Sequence, residues 1–130
     1  MVQILHTDKA PAAVGPYSQA TEVNGFIFTS GQIPLIPETG ELVSEDIKKA
    51  TARSLDNIKA ILEKAGSSLE KVLKVNIFLD DINDFAAVNE VYAEYFNTHK
   101  PARSCVEVAN LPKEALIEIE AIAVKWLYKR

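Results

Sequence analysis

Cysteine is nearly absent from this chain: Cys105 is the single thiol. It can form no internal disulfide, so the fold must stand on its core, and the expected address is the cytoplasm. Positive charge is also short, with 14 Lys and Arg against 18 Asp and Glu and a net charge of -4. Such a surface repels a polyphosphate backbone unless its basic residues gather on one face, which argues against nucleic acid as a partner. Long hydrophobic runs are missing too. The stretch Ile117 to Val124 is interrupted by Glu118 and Glu120 and falls far short of the ~20 apolar residues a membrane span needs. Met1 to Ala10 mixes Gln3, His6, Asp8 and Lys9 among its apolar residues, unlike the basic start and apolar centre of a secretory leader. Two distant histidines, His6 and His99, make no recognisable metal-ligand set with Cys105. Gly15, Gly25 and Gly31 are scattered and cradle no phosphate. No repeat or low-complexity tract is visible.

What remains is an ordinary globular composition, 48% hydrophobic and 25% charged over 130 residues, which fits one domain spanning 1–130. Ile47, Ala50, Leu55, Ile58, Ile61, Leu62 and Ala65 recur at helical spacing. Ser44, Glu45 and Asp46 supply acceptors for its first amides, and Gly66 supplies a left-handed stop. Phe85, Val88, Tyr92, Tyr95 and Phe96 form a second stripe, opened by Asn83 and Asp84 and closed before Pro101. Asn24-Gly25 between Gln19–Val23 and Phe26–Thr29 is a hairpin signal. Leu73, Val75, Ile77 and Leu79 alternate with Lys74, Asn76 and Phe78 as a strand between the helices. Arg103 to Ala109 and Ile117 to Leu127, separated by a turn around Asn110 to Pro112, complete the set. This order predicts an α+β fold, with two helices on one face of a mixed sheet. The other face then needs cover that one chain does not supply, and self-association is the economical source.

Chemistry concentrates near the end of the chain. Period-two alternation puts Arg103, Cys105 and Glu107 on one side of their strand, and Glu118 with Glu120 on one side of theirs. Carboxylates in a sheet of aliphatics are unfavourable unless paired or put to use. A structural ion pair between Arg103 and a glutamate is one reading. Were the last two strands a hairpin about Pro112, however, Arg103 would face the region of Ile122, and Glu118 would lie about 13 Å away at ~3.3 Å per residue. A substrate between them, or a site shared across chains, is the other reading. Cys105 has no histidine beside it in sequence and reads as a pocket wall rather than a nucleophile. Gly31, with Ser30 and Gln32, either lets backbone amides approach a ligand or forms a bulge. Tyr17, in the turn after Gly15 and Pro16, is core or a stacking lid, and Asn89, one turn past Phe85, either caps a neighbour or reaches a site.

Several stretches are long and distinctive. Pro101-Ala-Arg-Ser-Cys-Val-Glu-Val-Ala109, Leu111-Pro-Lys113 and Ile117-Glu-Ile-Glu-Ala-Ile-Ala123 closely resemble the signature of the RidA (YjgF) family. So do Ala10-Pro-Ala-Ala-Val-Gly-Pro-Tyr-Ser18, Thr29-Ser-Gly-Gln-Ile-Pro34, Asn83-Asp-Phe85 and Val88-Asn89, so the resemblance runs end to end. It implies a chorismate-mutase-like fold assembled as a homotrimer around a central barrel, with sites between subunits. It also implies hydrolysis of reactive enamine and imine acids, such as 2-aminoacrylate, 2-iminopropanoate and 2-iminobutanoate, to 2-keto acids and ammonia without cofactor or metal. Carried over by motif, Arg103 grips the substrate carboxylate and Glu118 handles water and a proton. Backbone amides of Gly31 and Cys105 complete the carboxylate pocket, Tyr17, Ser30 and Asn89 wall it, and Glu120 is structural. Lys100 departs from the aromatic that many relatives carry before Pro-Ala-Arg, which bears on substrate preference.

Two other functions are compatible with the same resemblance. An endoribonuclease that inhibits translation has the net charge against it, although Lys48, Lys49, Arg53 and Lys59 lie on the first helix. A ligand-responsive binder of another protein would keep the cleft without needing Glu118.

Overall fold

The computed structural model describes residues 1–126. The chain runs β1 (Gln3–Leu5), β2 (Ala20–Val23), β3 (Phe26–Thr29), α1 (Ile47–Lys64), β4 (Val72–Leu79), α2 (Phe85–Tyr95), β5 (Ala102–Glu107) and β6 (Ile117–Val124). These strands form one mixed sheet in the order β1-β2-β3-β6-β4-β5. The final strand ends at Val124, and Leu127, expected in it, lies outside the described residues.

Local chemistry explains the elements. Asp46 caps α1, its carboxylate accepting the Lys48 amide at 2.8 Å. Gly66 follows the helix in the left-handed region, at φ 85°. The opening of α2 differs from expectation. A short 3-10 turn, Ile82–Asp84, precedes the helix, and Asp81 rather than Asn83 or Asp84 supplies its side-chain cap, accepting the Asn83 amide at 2.9 Å. In the β2-β3 hairpin Asn24 and Gly25 both take positive φ, 51° and 80°. This is the primed turn whose twist matches the two strands.

Antiparallel β6 lies between β3 and β4, and β5 joins β4 in parallel through α2. The last two strands are therefore not a hairpin: β4 separates them, and Arg103 pairs with Val75 rather than facing Ile122. Three rows cross β6, β4 and β5 on the buried face: Ala121-Val75-Arg103, Ile119-Ile77-Cys105 and Ile117-Leu79-Glu107. The rows between them, Glu120-Asn76-Ser104 and Glu118-Phe78-Val106, point the other way. A register shift between Val72 and Lys74 corrects the expected alternation of β4, with Val72 buried and Leu73 exposed.

Leu55, Ile58, Ile61 and Leu62 of α1 and Val88 and Tyr92 of α2 pack on Ile27, Ile77, Leu79, Ile117 and Ile119 of the sheet. The opposite face carries no helix, and Phe26, Phe28 and Val106 are exposed on it.

Gly25 closes its turn against the indole of Trp126. A Cβ there would lie 2.3 Å from Trp126 Nε1, at a φ side chains rarely adopt. Gly25→Ala is expected to cost about 2 kcal/mol, combining left-handed strain with displacement of the ring, and to lower the melting temperature by roughly 5–10 °C. An unchanged melting curve would show that the turn needs neither the conformation nor the space.

Candidate functional site

The sheet distributes the charged residues to two different places. Arg103 is on the helix-covered face at the β5 edge, where its guanidinium meets three side chains of α2. Nη1 donates to Asn89 Oδ1 at 2.7 Å, and Cζ lies 4.8 Å from the Tyr92 ring centre and 5.5 Å from that of Phe85. Among the described residues no carboxylate pairs with it. The structural ion pair with a glutamate is thus not formed. Arg103, Asn89 and Tyr92 line a cleft of about 490 Å³ that also receives Lys100 and Pro101. Cys105, one row along, is half-buried against the core, and burial pushes its thiol up, an effect the Arg103 charge partly opposes. A thiol held in its protonated form suits a wall rather than a nucleophile.

Glu118 projects from the other face into a second cavity, of about 710 Å³, lined among others by Tyr17, Ser30, Gly31, Lys113 and Glu120. Burial raises its carboxyl above the ordinary glutamate range, and the nearby Glu120 charge raises it further. Glu120 accepts a hydrogen bond from Asn76 Nδ2 at 3.0 Å. The cavity opens where β3 leaves β6. The β3-β6 ladder ends at Phe28-Ile122 and pairing resumes at Gln32-Ile119, so Ser30 and Gly31 together occupy the space opposite Glu120. This is the arithmetic of a bulge. Gly31 also has a steric reason: a Cβ there would come within 2.7 Å of the Glu118 carboxyl carbon. Of the two alternatives open for Gly31, the bulge is the one the strand pairing forms, and it brings the glycine backbone against the Glu118 carboxylate.

Gln19, a strand residue by sequence, instead anchors the wall of this cavity. Fully buried, its Oε1 accepts the Thr7 amide at 2.7 Å, while Nε2 donates to the carbonyls of Thr7, Ala10 and Pro11 at 2.9, 3.3 and 2.8 Å. The loop so held carries Tyr17, which is 53% exposed and whose hydroxyl oxygen accepts the Val14 amide at 3.4 Å. Ser30 Oγ donates to the Ser18 carbonyl, tying the bulge to the same loop. On the far rim Lys113 and Glu114 both adopt φ 57°, a left-handed backbone for two successive residues with side chains.

The residues singled out by sequence thus fall into two groups. Tyr17, Ser30, Gly31 and Glu118 share one cavity, Arg103 and Asn89 share the other cleft, and Cys105 lies one row from Arg103 on the helix-covered face. Tyr92 and Gln19 went unrecognised as contributors. Tyr92 was legible, since it lies at i+7 from Phe85 and i+3 from Asn89 on one helix face; Gln19 was not, because its partners lie in a loop without periodicity.

Glu118 gives a pH test. A carboxyl whose value is raised on folding holds its proton more tightly in the native state. It therefore favours folding below its ordinary value of 4.5, and that advantage is lost as pH rises through the higher folded value. Glu118→Gln, which keeps the shape without the charge, is expected to melt above the wild type at neutral pH. The gap should close as pH falls below 4.5; a gap independent of pH in parallel thermal melts would contradict the raised value.

Comparison with known proteins places the chain in a family. Residues 7–125 match the family described as Endoribonuclease L-PSP. The chain is 60% identical to a RutC family protein of Pyrococcus abyssi, covering 95% of this chain and 97% of that one. It is 51% identical to the 2-iminobutanoate/2-iminopropanoate deaminase of Escherichia coli, covering 96% and 99%. Among solved structures, E. coli TdcF with bound serine superposes with a TM-score of 0.91 at 47% identity, over 95% of this chain and 99% of that one. The E. coli YjgF gene product gives 0.91 at 49% identity, with the same coverages. Likeness of sequence and fold runs from end to end, and the chain belongs to the Endoribonuclease L-PSP family, the family of RidA and YjgF.

Proposed function

We propose that this protein hydrolyses reactive 2-imino and enamine acids, among them 2-aminoacrylate, 2-iminopropanoate and 2-iminobutanoate, to 2-keto acids and ammonia in the cytoplasm. The observation that carries the reading is the presence of an arginine that meets no carboxylate among the described residues and of a glutamate held above its usual range, each lining a cavity. Arg103 matches a planar carboxylate through its remaining N–H donors, a geometry lysine does not offer. Its neighbour Cys105 contributes a backbone amide on β5, an edge strand with one row of unpaired groups. Gly31 brings a second amide, and Tyr17, Ser30 and Asn89 form the walls.

In the reaction, the imine nitrogen takes a proton from solvent while Glu118 as carboxylate takes one from water and the water oxygen adds to the C=N carbon. The resulting carbinolamine collapses as the Glu118 acid returns its proton to nitrogen. The C–N bond breaks, ammonia leaves, and the hydroxyl proton passes to solvent as C=O forms, so the proton first taken up is returned. An enamine enters after protonation at its terminal carbon. A raised carboxyl suits both halves, being closer to neutrality in either protonation state. The residues supply positioning and proton transfer themselves, so no cofactor or metal enters the scheme.

Arg103 and Glu118 project from opposite faces of one sheet, so one chain does not bring them onto one ligand. A homotrimer answers both this separation and the exposed apolar face, with the open faces turned inward as a barrel and each site built from the Arg103 edge of one copy and the Glu118 cavity of the next. Translation inhibition through RNA cleavage is the weaker reading, since the net charge of -4 disfavours RNA.

With freshly generated 2-iminobutanoate the wild type is expected to accelerate keto-acid formation, and Arg103→Ala and Glu118→Ala to lose about 10²-fold or more in kcat/KM. No acceleration by wild type, or full activity in Arg103→Ala, would refute the proposal. Co-expressing the two inactive variants tests the shared site. Random mixing in a ring restores roughly a quarter of the sites when each draws on two subunits, and none when each lies within one.

A further inference from the structure

The α2 face under Arg103 contains more than a hydrogen-bond partner. Phe85, Asn89 and Tyr92 follow one another along a single helix face. The guanidinium carbon lies 4.8 Å from the Tyr92 ring centre, within cation–π range, while Asn89 Oδ1 takes Nη1 at 2.7 Å. Tyr92 is itself immobilised. It is 9% exposed, and its ring packs on Phe96 with centres 4.7 Å apart. Its hydroxyl is buried without a hydrogen-bond partner, an unfavourable arrangement that contributes nothing to binding Arg103. What Tyr92 offers is therefore its ring face, and that face meets the cation.

An arginine on an edge strand with no acidic partner has free rotation about several bonds, and each rotamer aims its fork differently. One hydrogen bond fixes a single nitrogen. A ring face adds a second constraint by favouring one position of the guanidinium over it. Together they leave the remaining N–H groups directed into the cleft before an anion arrives. Preorganisation of this kind lowers the ordering cost of binding.

We propose that Tyr92 is the positioning residue for Arg103, its ring face fixing the guanidinium for a planar carboxylate, with Phe85 as a weaker second support 5.5 Å away. This rests on the reading of Arg103 as a carboxylate-binding group but not on turnover.

Binding of 2-oxobutanoate, the product carboxylate, is measured by calorimetry on the assembled full-length protein, and KM and kcat are measured with 2-iminobutanoate. Tyr92→Phe keeps the ring and is expected to stay within about 2-fold of wild type in both measurements, melting no lower because an unpaired hydroxyl is removed. Tyr92→Leu is expected to weaken 2-oxobutanoate binding and raise KM by about 10-fold, as loss of a cation–π contact of ~1–2 kcal/mol predicts, with kcat within 3-fold. In an Arg103→Lys background the difference between Phe and Leu at 92 should fall below 3-fold. If Tyr92→Leu does not fold, Phe85→Leu carries the test with an expected 2- to 3-fold weakening. Equal binding by Tyr92→Leu and wild type, equal loss in Tyr92→Phe and Tyr92→Leu, or absence of wild-type binding would overturn the proposal. Binding that responds as described without any turnover would leave it standing and refute the deaminase instead.

Discussion

Strand β4 is hydrogen-bonded on both sides, and its register determines where every charged group of interest points. Val75 and Ile77 are each paired at once with a residue of β5 and one of β6, and both are fully buried against the helices. Their partners Arg103 and Cys105 must then face the helices, while Glu118 and Glu120, opposite Phe78 and Asn76, must face away. A slip of one residue would exchange the faces: in the β6 ladder it would drive a carboxylate into the aliphatic core, and in the β5 ladder it would turn Arg103 away from α2. Packing of Val75, Ile77 and Leu79 is therefore also what keeps the arginine and the glutamate apart.

Once that separation is fixed, each group acquires its surroundings from a different part of the chain. Arg103 is met by α2, because the parallel crossover from β4 to β5 lays that helix along the sheet edge. Glu118 is met by the end of β3, where the bulge at Ser30 and Gly31 removes the side chain that would otherwise occupy its place. Among the described residues neither group forms a salt bridge. The arginine rests on rings and a neutral amide, and the glutamate sits beside a second acid. Charged groups of opposite sign without ion pairs, each lining a cavity, fit the pattern of a functional site.

Much of this was legible in the sequence, for reasons that differ by element. The α1 cap at Asp46, the stop at Gly66 and the Asn24-Gly25 turn are local chemistry, and local chemistry is written in neighbouring residues. The facing of Arg103 with Cys105, and of Glu118 with Glu120, followed from period two alone. The motifs pointed to the family that the comparisons then showed. What escaped was set by distant partners. Adjacent strands invite a hairpin, and only the crossover through α2 reveals that β4 lies between β5 and β6. Alternation at Leu73 looked regular because a bulge leaves no mark in an apolar run. The side-chain cap moved to Asp81, at the start of the 3-10 turn that precedes α2, and Asp81, Asn83 and Asp84 lie too close together for sequence to choose among them.

The side-chain amide of Gln19 has a consequence for how this protein ages. Its nitrogen faces three carbonyl oxygens and its oxygen faces one amide hydrogen, so neither orientation nor chemical identity is interchangeable there. Spontaneous hydrolysis of that amide would set a carboxylate oxygen against the same three carbonyls, with water excluded from the site. The cavity wall would be pushed outward by repulsion that no rotation relieves. Burial slows such damage by keeping water away, so the contact that shapes the cavity also protects the group that makes it.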